Sequence, residues 1–202
     1  MSVKSNYNAI SSASQVCVSG LCLFVLYAFI LRKLGAQFVG AWSLVLASSS
    51  TAQIASFGLS NSIVRFVAED FARGDQKAGA AVINNSVSFV ILVFTGILLL
   101  LWPVIKMVLF LVVPLQMQVV ASGMLPYALC ALWCGVISGI YQSGLDGTGR
   151  VYVRNYIIIA SSIISLIVTS LAVLYFGGLA LAPAHLVQCI SLYSGSMFGW
   201  NV

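Results

Sequence analysis

Residues 77–106 read KAGAAVINNSVSFVILVFTGILLLLWPVIK. Between Lys77 and Lys106 stand 28 residues without an Asp, Glu, Lys or Arg. From Phe89 to Trp102 only Thr95 and Gly96 interrupt the large apolar side chains. About 20 such residues suffice for a helix to cross the hydrocarbon of a bilayer, so this stretch reads as a transmembrane helix. The rest of the chain shares its character. Of 202 residues 61% are hydrophobic and 6% are charged, against about 45–50% and 25% in a soluble domain. Nine basic and four acidic side chains cannot cover a water-facing surface. The composition excludes a soluble domain, a disordered chain, a coiled coil and a disulfide-rich secreted scaffold. It predicts an all-α, polytopic membrane protein.

The other charge-free stretches are counted in the same way. Lys4 to Arg32 encloses 27 residues, Lys33 to Arg65 encloses 31, Lys106 to Asp146 encloses 39, and 48 follow Arg154. The last stretch holds two helices broken at Gly177-Gly178. In the 39-residue stretch, Met107 to Val113 is too short to cross; Pro103 stands just before it, and Pro114, Gln116, Gln118 and Pro126 punctuate it. It reads as a third helix kinked or ended at Pro103, an interfacial segment, and one further span. The expectation is a single bundle over 1–202 with six spans at about 11–31, 41–63, 80–102, 119–142, 156–176 and 179–199. The first ends in Leu31-Arg32-Lys33 instead of a small-residue cleavage site, so it reads as a retained helix.

Lys4, Arg65, Arg73, Lys77, Arg150 and Arg154 fall on one side of this arrangement, and Arg32, Lys33 and Lys106 on the other. Basic residues favour the cytoplasmic side, which places both termini in the cytoplasm. The net charge of +5 is spread over such loops without a basic cluster, so no nucleic-acid partner is implied. The cysteines Cys17, Cys22, Cys130, Cys134 and Cys189 lie in apolar stretches with no metal-ligand spacing and read as small buried residues.

Polar side chains recur at helical spacing inside the spans: Asn8, Ser12, Gln15 and Ser19; then Ser49, Gln53, Ser56 and Ser60 beside Asn61; then Asn85, Ser88 and Thr95 beside Asn84; then Asn155, Ser162, Ser165 and Thr169. Ser138 and Gln142 end the fourth span, and His185 and Gln188 sit a turn apart in the sixth. Two readings fit. Such groups hydrogen-bond helix to helix, with Gly135/Gly139 and Gly195/Gly199 permitting close approach. Alternatively the amides of Gln15, Gln53, Asn61, Asn84 and Asn85 line a hydrated cavity, because they are costly against lipid. After the second span, Arg65, Glu69 and Arg73 stand four apart and carry the helix beyond the membrane, Gly74 ends it, and Asp75 caps the next helix. Arg65 serves either that solvated helix end or an anion at the cavity mouth. No catalytic motif and no acid within a span appears, so no enzyme, catalytic residue, metal or cofactor is expected.

Four stretches, 31–42 (LRKLGAQFVGAW), 57–69 (FGLSNSIVRFVAE), 144–150 (GLDGTGR) and 177–182 (GGLALA), resemble in order and spacing the polysaccharide/O-antigen flippases of the multidrug/oligosaccharidyl-lipid/polysaccharide exporter superfamily. Asp146 stands where that family usually has Gln. The resemblance implies two six-helix bundles about a central cavity, of which 1–202 spans the N-terminal one. The chain is then expected to be a truncated transporter, paired with a missing half or with a second copy. It also implies a polyprenyl-pyrophosphate-linked oligosaccharide crossing the bacterial inner membrane for surface-polysaccharide (lipopolysaccharide O-antigen) synthesis. Arg65 and Arg150 match the family motifs and are candidates for the diphosphate; Arg32 lies where it would meet the substrate after flipping. The amides would meet sugar hydroxyls. The alternatives are a multidrug or toxic-compound extruder of the same superfamily, which usually couples an ion through a carboxylate in this bundle; a membrane glycosyltransferase or acyltransferase using Glu69, Asp70, Asp75 or Asp146; and a non-functional transporter remnant.

Overall fold

The computed structural model describes the backbone of residues 3–112, 115 and 118–201, and the side chains of 6–40, 42–43, 60–108, 110–112, 115, 118–178 and 180–200. Six long helices follow one another: α1 (Val3–Leu34), α2 (Ala36–Ala72), α3 (Gln76–Val112), α4 (Gln118–Gly147), α5 (Val151–Phe176) and α6 (Leu181–Asn201), with a 3₁₀ turn at Gly178–Ala180 before the last. No strand occurs among the described residues. Four stretches of them are long and apolar enough to cross a membrane: Asn6–Leu34, Gln76–Val112, Gln118–Gly147 and Val151–Phe176.

Short joints dictate the up-and-down path. Gly74 takes φ 79°, a conformation costly for any residue with a Cβ. That single residue lets Asp75 N–H reach back to Asp70 O at 3.0 Å and Gly74 N–H to Phe71 O at 3.1 Å, closing α2. Asp75 Oδ1 then accepts the Ala78 N–H at 3.0 Å and caps α3, as the sequence predicts. Gly35, Gly149 and Gly177 supply the same positive φ at three of the other joints.

The helix lengths exceed the expected spans. α3 has 37 residues, about 55 Å at 1.5 Å per residue, against a hydrocarbon thickness of about 30 Å. It stays helical on both sides of Pro103 and runs to Val112. The segment from Met107 is therefore the last turns of α3 and not a separate interfacial piece; Val113, Pro114 and Gln116 lie outside the described residues. Proline removes one helix hydrogen bond, but unwinding the neighbouring turns would leave several backbone groups bare in an apolar setting. Pro126 likewise sits within α4.

α4 is the central column, packed on α2, α3 and α6, while α1 packs chiefly on α5. One apolar cluster joins Ile30, Trp42, Met124, Leu125, Val173 and Leu181. These lie near the ends of α1 and α5 and the starts of α2, α4 and α6. We call this the far end. A second cluster, nearer the N-terminal end, joins Ile63, Val67, Ile83, Val136, Ile137 and Ile140. The outward faces are apolar too: Leu92 and Leu100 of α3 are each 76% exposed. That inversion of a soluble protein's surface is what a lipid solvent demands.

Close approach of α2 and α4 depends on Gly147. A Cβ there would stand 2.9 Å from Val64 O and 2.9 Å from Val67 Cβ, the first of these a backbone atom that cannot step aside. Gly96 on α3 has nothing within 4 Å. Gly147→Ala should therefore lower the thermal unfolding midpoint in detergent by the equivalent of about 1–3 kcal/mol, and Gly96→Ala should leave it unchanged or slightly raised. Equal effects of the two would contradict this packing.

Candidate functional site

Where α2, α4, α5 and α6 diverge they enclose a cavity of about 510 Å³. Its polar lining comes from Ser60 and Asn61 of α2, Gln142, Ser143 and Asp146 of α4, Arg154 of α5, and His185 and Gln188 of α6. Helical spacing explains the convergence. Gln142 and Asp146 are one turn apart on α4, as are Gly135 and Gly139 above them, whose missing side chains leave room on that face. His185 and Gln188 are one turn apart on α6.

The charged part of the lining is an ion pair. Arg154 Nη1 donates to Asp146 Oδ2 across the α4–α5 turn, with the two side chains only 28% and 23% exposed. Asp146 Oδ1 and Arg154 Nε are buried without a hydrogen-bond partner. Arg154 Nη2 also donates to Asn155 Oδ1 at 3.3 Å. Asn155 is wholly buried, and its Nδ2 donates to Ser11 Oγ and Ser12 Oγ of α1, both at 3.0 Å. Carboxylate, guanidinium, amide and hydroxyl thus form one chain from α4 through α5 to α1.

Other polar side chains also tie the helices together, Gln142 and Gln188 doing so from the cavity wall. Ser19 and Ser162 hydroxyls lie 3.1 Å apart between α1 and α5, and the Tyr7 and Tyr156 hydroxyls 3.0 Å apart nearer the N-terminus. Ser138 and Ser196 meet at 3.2 Å between α4 and α6, with Gln142 Nε2 donating to Ser138 Oγ at 3.1 Å. Ser165 Oγ donates to Gln188 Oε1 at 2.8 Å, and Trp133 Nε1 to Thr95 Oγ1 at 3.1 Å. The helix-to-helix reading holds for the α1 and α5 residues that bond each other, whereas of the five amides expected in one hydrated cavity only Asn61 lines this space, beside Gln142 of α4 and Gln188 of α6.

The candidates named from sequence do not share one site. Asn61 lines the cavity. Gln15 lines a neighbouring cavity of about 380 Å³ among α1, α5 and α6, with Gln188 common to both, and donates to Ser19 Oγ at 3.5 Å. Gln53 is carried by α2, and its side chain lies outside the described residues. Arg65 is exposed one turn beyond Asn61. Asn84 and Asn85 are exposed on α3 and line neither cavity. Arg150 opens a separate groove on the α5–α6 face. Arg32 is exposed at the far end. Among the described residues Glu69 pairs with Arg73, at 2.6 Å, and Arg65 makes no ion pair.

Sequence reading missed Asp146, Arg154, Gln142, Gln188 and His185 as lining residues. The expected spans leave Asp146 and Arg154 in the loop between 142 and 156. The available signal is their spacing across a short glycine-containing turn, with Asn155 immediately following. His185 also faces Trp42, with ring centroids 5.5 Å apart and planes at 83°, and its Nε2 lies 3.9 Å from Cys189 Sγ.

No family model, curated protein or solved structure matches this chain. The site has to be read from its own chemistry. It is a pocket of mixed lining, in which one guanidinium is paired with one carboxylate and flanked by amides that both donate and accept, among apolar side chains such as Val64, Leu132, Val136 and Leu192.

The buried pair has a measurable consequence. Asp146→Leu strands the Arg154 guanidinium and should destabilise the bundle by about 3 kcal/mol, the low end for removal of one partner. Adding Arg154→Met should recover most of that loss, because an apolar pair of similar volume is usually neutral or better. Thermal unfolding in detergent compares the two; no recovery in the double variant would show that Arg154 is held by other contacts.

Proposed function

We propose that this chain is the N-terminal six-helix bundle of a flippase-type transporter that moves a polyprenyl-pyrophosphate-linked oligosaccharide across the bacterial inner membrane. The observation that carries the reading is the 510 Å³ cavity lined by Asn61, Gln142 and Gln188 inside a bundle whose outer faces are apolar. Amides suit sugar hydroxyls, which need both donors and acceptors. A lipid tail needs none of this and stays in the bilayer. Together with the four motif stretches at residues 31–42, 57–69, 144–150 and 177–182, the cavity favours transport over catalysis, since its one carboxylate is committed to Arg154.

In this reading α2 and α6 also span the membrane, both termini are cytoplasmic, and a second bundle completes the path. Arg65, exposed near the cavity's Asn61, is the cation that meets the diphosphate. Arg150 and Arg32 are left on other faces. Labelling single cysteines at Asp75 and Thr148 in sealed membranes tests the orientation: both should react only from the cytoplasmic side, and reaction from outside would overturn it. Surface-polysaccharide export by a full-length transporter tests the site. Arg65→Gln should reduce export more than Arg65→Lys at equal protein level, because Lys keeps the charge and loses the planar fork. Export unchanged in Arg65→Gln would remove Arg65 from the path.

One observation favours a second reading. α4 continues to Gly147, so Asp146 lies inside the bundle and beside the cavity. A multidrug extruder that couples an ion through a carboxylate would have its acid there. Dye efflux driven by a proton or sodium gradient, and lost in Asp146→Asn, would support this second reading over the flippase.

A further inference from the structure

At the N-terminal end of the bundle, α5 begins where α6 ends. The groove between them is lined by Arg150, Tyr152, Val153, Ile157, Gly195 and Phe198, with a volume of about 460 Å³. Its floor exists because Gly195 and Gly199 carry no side chain. A Cβ at Gly195 would stand 2.9 Å from Ile157 Cγ2, and one at Gly199 3.0 Å from Ile157 Cδ1. The two helices close on these glycines and leave a shallow trough outside the contact.

The trough is graded along its length. Arg150 and Tyr152 stand at its mouth, at the helix end, and only apolar side chains follow as far as Ile157. That is seven residues, or about 10 Å at 1.5 Å per residue. Arg150 is exposed and makes no ion pair among the described residues, whereas Arg73 and Arg154 at the same end are paired with Glu69 and Asp146. Tyr7, Tyr152, Tyr156 and Phe198, all at this end, are 50%, 38%, 54% and 73% exposed. Such a belt marks the headgroup level of a bilayer, so the apolar part of the trough points into hydrocarbon.

We propose that this groove is a binding site for an anionic phospholipid, with the headgroup phosphate on Arg150 and an acyl chain along Val153, Ile157 and Phe198. Charge complementarity selects the occupant. An unpaired guanidinium at headgroup level takes phosphate through two parallel N–H donors, and beyond Arg150 and the Tyr152 hydroxyl at its mouth the groove is apolar and offers little to a sugar or a peptide. The site lies on another face from the polar cavity and is independent of what that cavity carries.

Native mass spectrometry on the full chain tests it, with the protein released from nanodiscs of equal parts phosphatidylglycerol and phosphatidylcholine with matched acyl chains. The wild type should retain one phosphatidylglycerol in preference to phosphatidylcholine. Arg150→Gln should reduce that preference by about fivefold, while Lys77→Gln, which removes another basic residue at the same end, should leave it unchanged. Phe198→Ala, a change at a side chain already 73% exposed, should weaken retention of both lipids together. Addition of inorganic phosphate should not displace the lipid. An unchanged preference in Arg150→Gln, an equal loss in Lys77→Gln, or displacement by phosphate alone would each overturn the proposal. The last would show a site for free phosphate without an acyl component.

Discussion

A polar side chain shielded from water inside this bundle is costly unless it finds a partner there, and that constraint organises the rest. Asn155 is where it acts most strongly. Fully enclosed, it donates to Ser11 and Ser12 and accepts from Arg154, which in turn holds Asp146. A slide of α1 against α5 by one residue would break two of these bonds and leave a buried amide unsatisfied. Each interhelical hydrogen bond is worth only about 0.6 kcal/mol on average in a membrane protein. The register is therefore set by the whole series from Tyr7–Tyr156 through Ser11/Ser12–Asn155 to Ser19–Ser162, and by the packing between them. No single bond in the series would suffice.

The same chain of bonds fixes the α4–α5 turn, and through it one wall of the cavity. Arg154 sits next to Asn155, so the contacts that position the amide also aim the guanidinium at Asp146. Neutralising that acid inside the bundle makes the cavity a place for uncharged polar groups. Gly135 and Gly139 leave space on α4, while Gly144 and Gly147, near the same helix end, bring α4 against its neighbours. One helix thus both packs tightly and opens a pocket, and the difference lies in which of its faces the glycines occupy.

Much of this was legible in the sequence. The charge-free stretches locate the helices, because excluding charge over 20 or more residues has few meanings outside a membrane. The Gly74-Asp75 turn was readable residue by residue, since the left-handed glycine and the capping carboxylate are local devices. The α1 and α5 stripes could be seen, although not that they face each other. Of the two expectations at Pro103, an end to the helix is the one overturned, for a physical reason: an unwound turn is solvated in water but bare in an apolar setting, and α3 continues through it. Asn84 and Asn85 have the same spacing as cavity residues, yet α3 turns them outward, and periodicity along one helix cannot say which face meets a neighbour. Arg65 and Arg73 are equally spaced from Glu69, and the pair goes to Arg73. The Asp146–Arg154 pair was hidden because α4 runs four or five residues further than the apolar count allowed, drawing a presumed loop acid into the bundle.

If the space between α2, α4, α5 and α6 is a water-accessible cavity within a lipid-facing bundle, its lining reacts with aqueous reagents and the outer faces do not. The most direct test replaces the five native cysteines and introduces single cysteines at Asn61, Gln142 and Gln188, and at the outward-facing Leu92, Leu100 and Leu174. The protein stays in its native membrane and is exposed to a small charged thiol reagent. The account predicts reaction at the first three positions and none at the last three. Protection of Asn61, Gln142 and Gln188 to the level of Leu92 and Leu100 would contradict it, leaving a dry bundle held by the interhelical bonds alone.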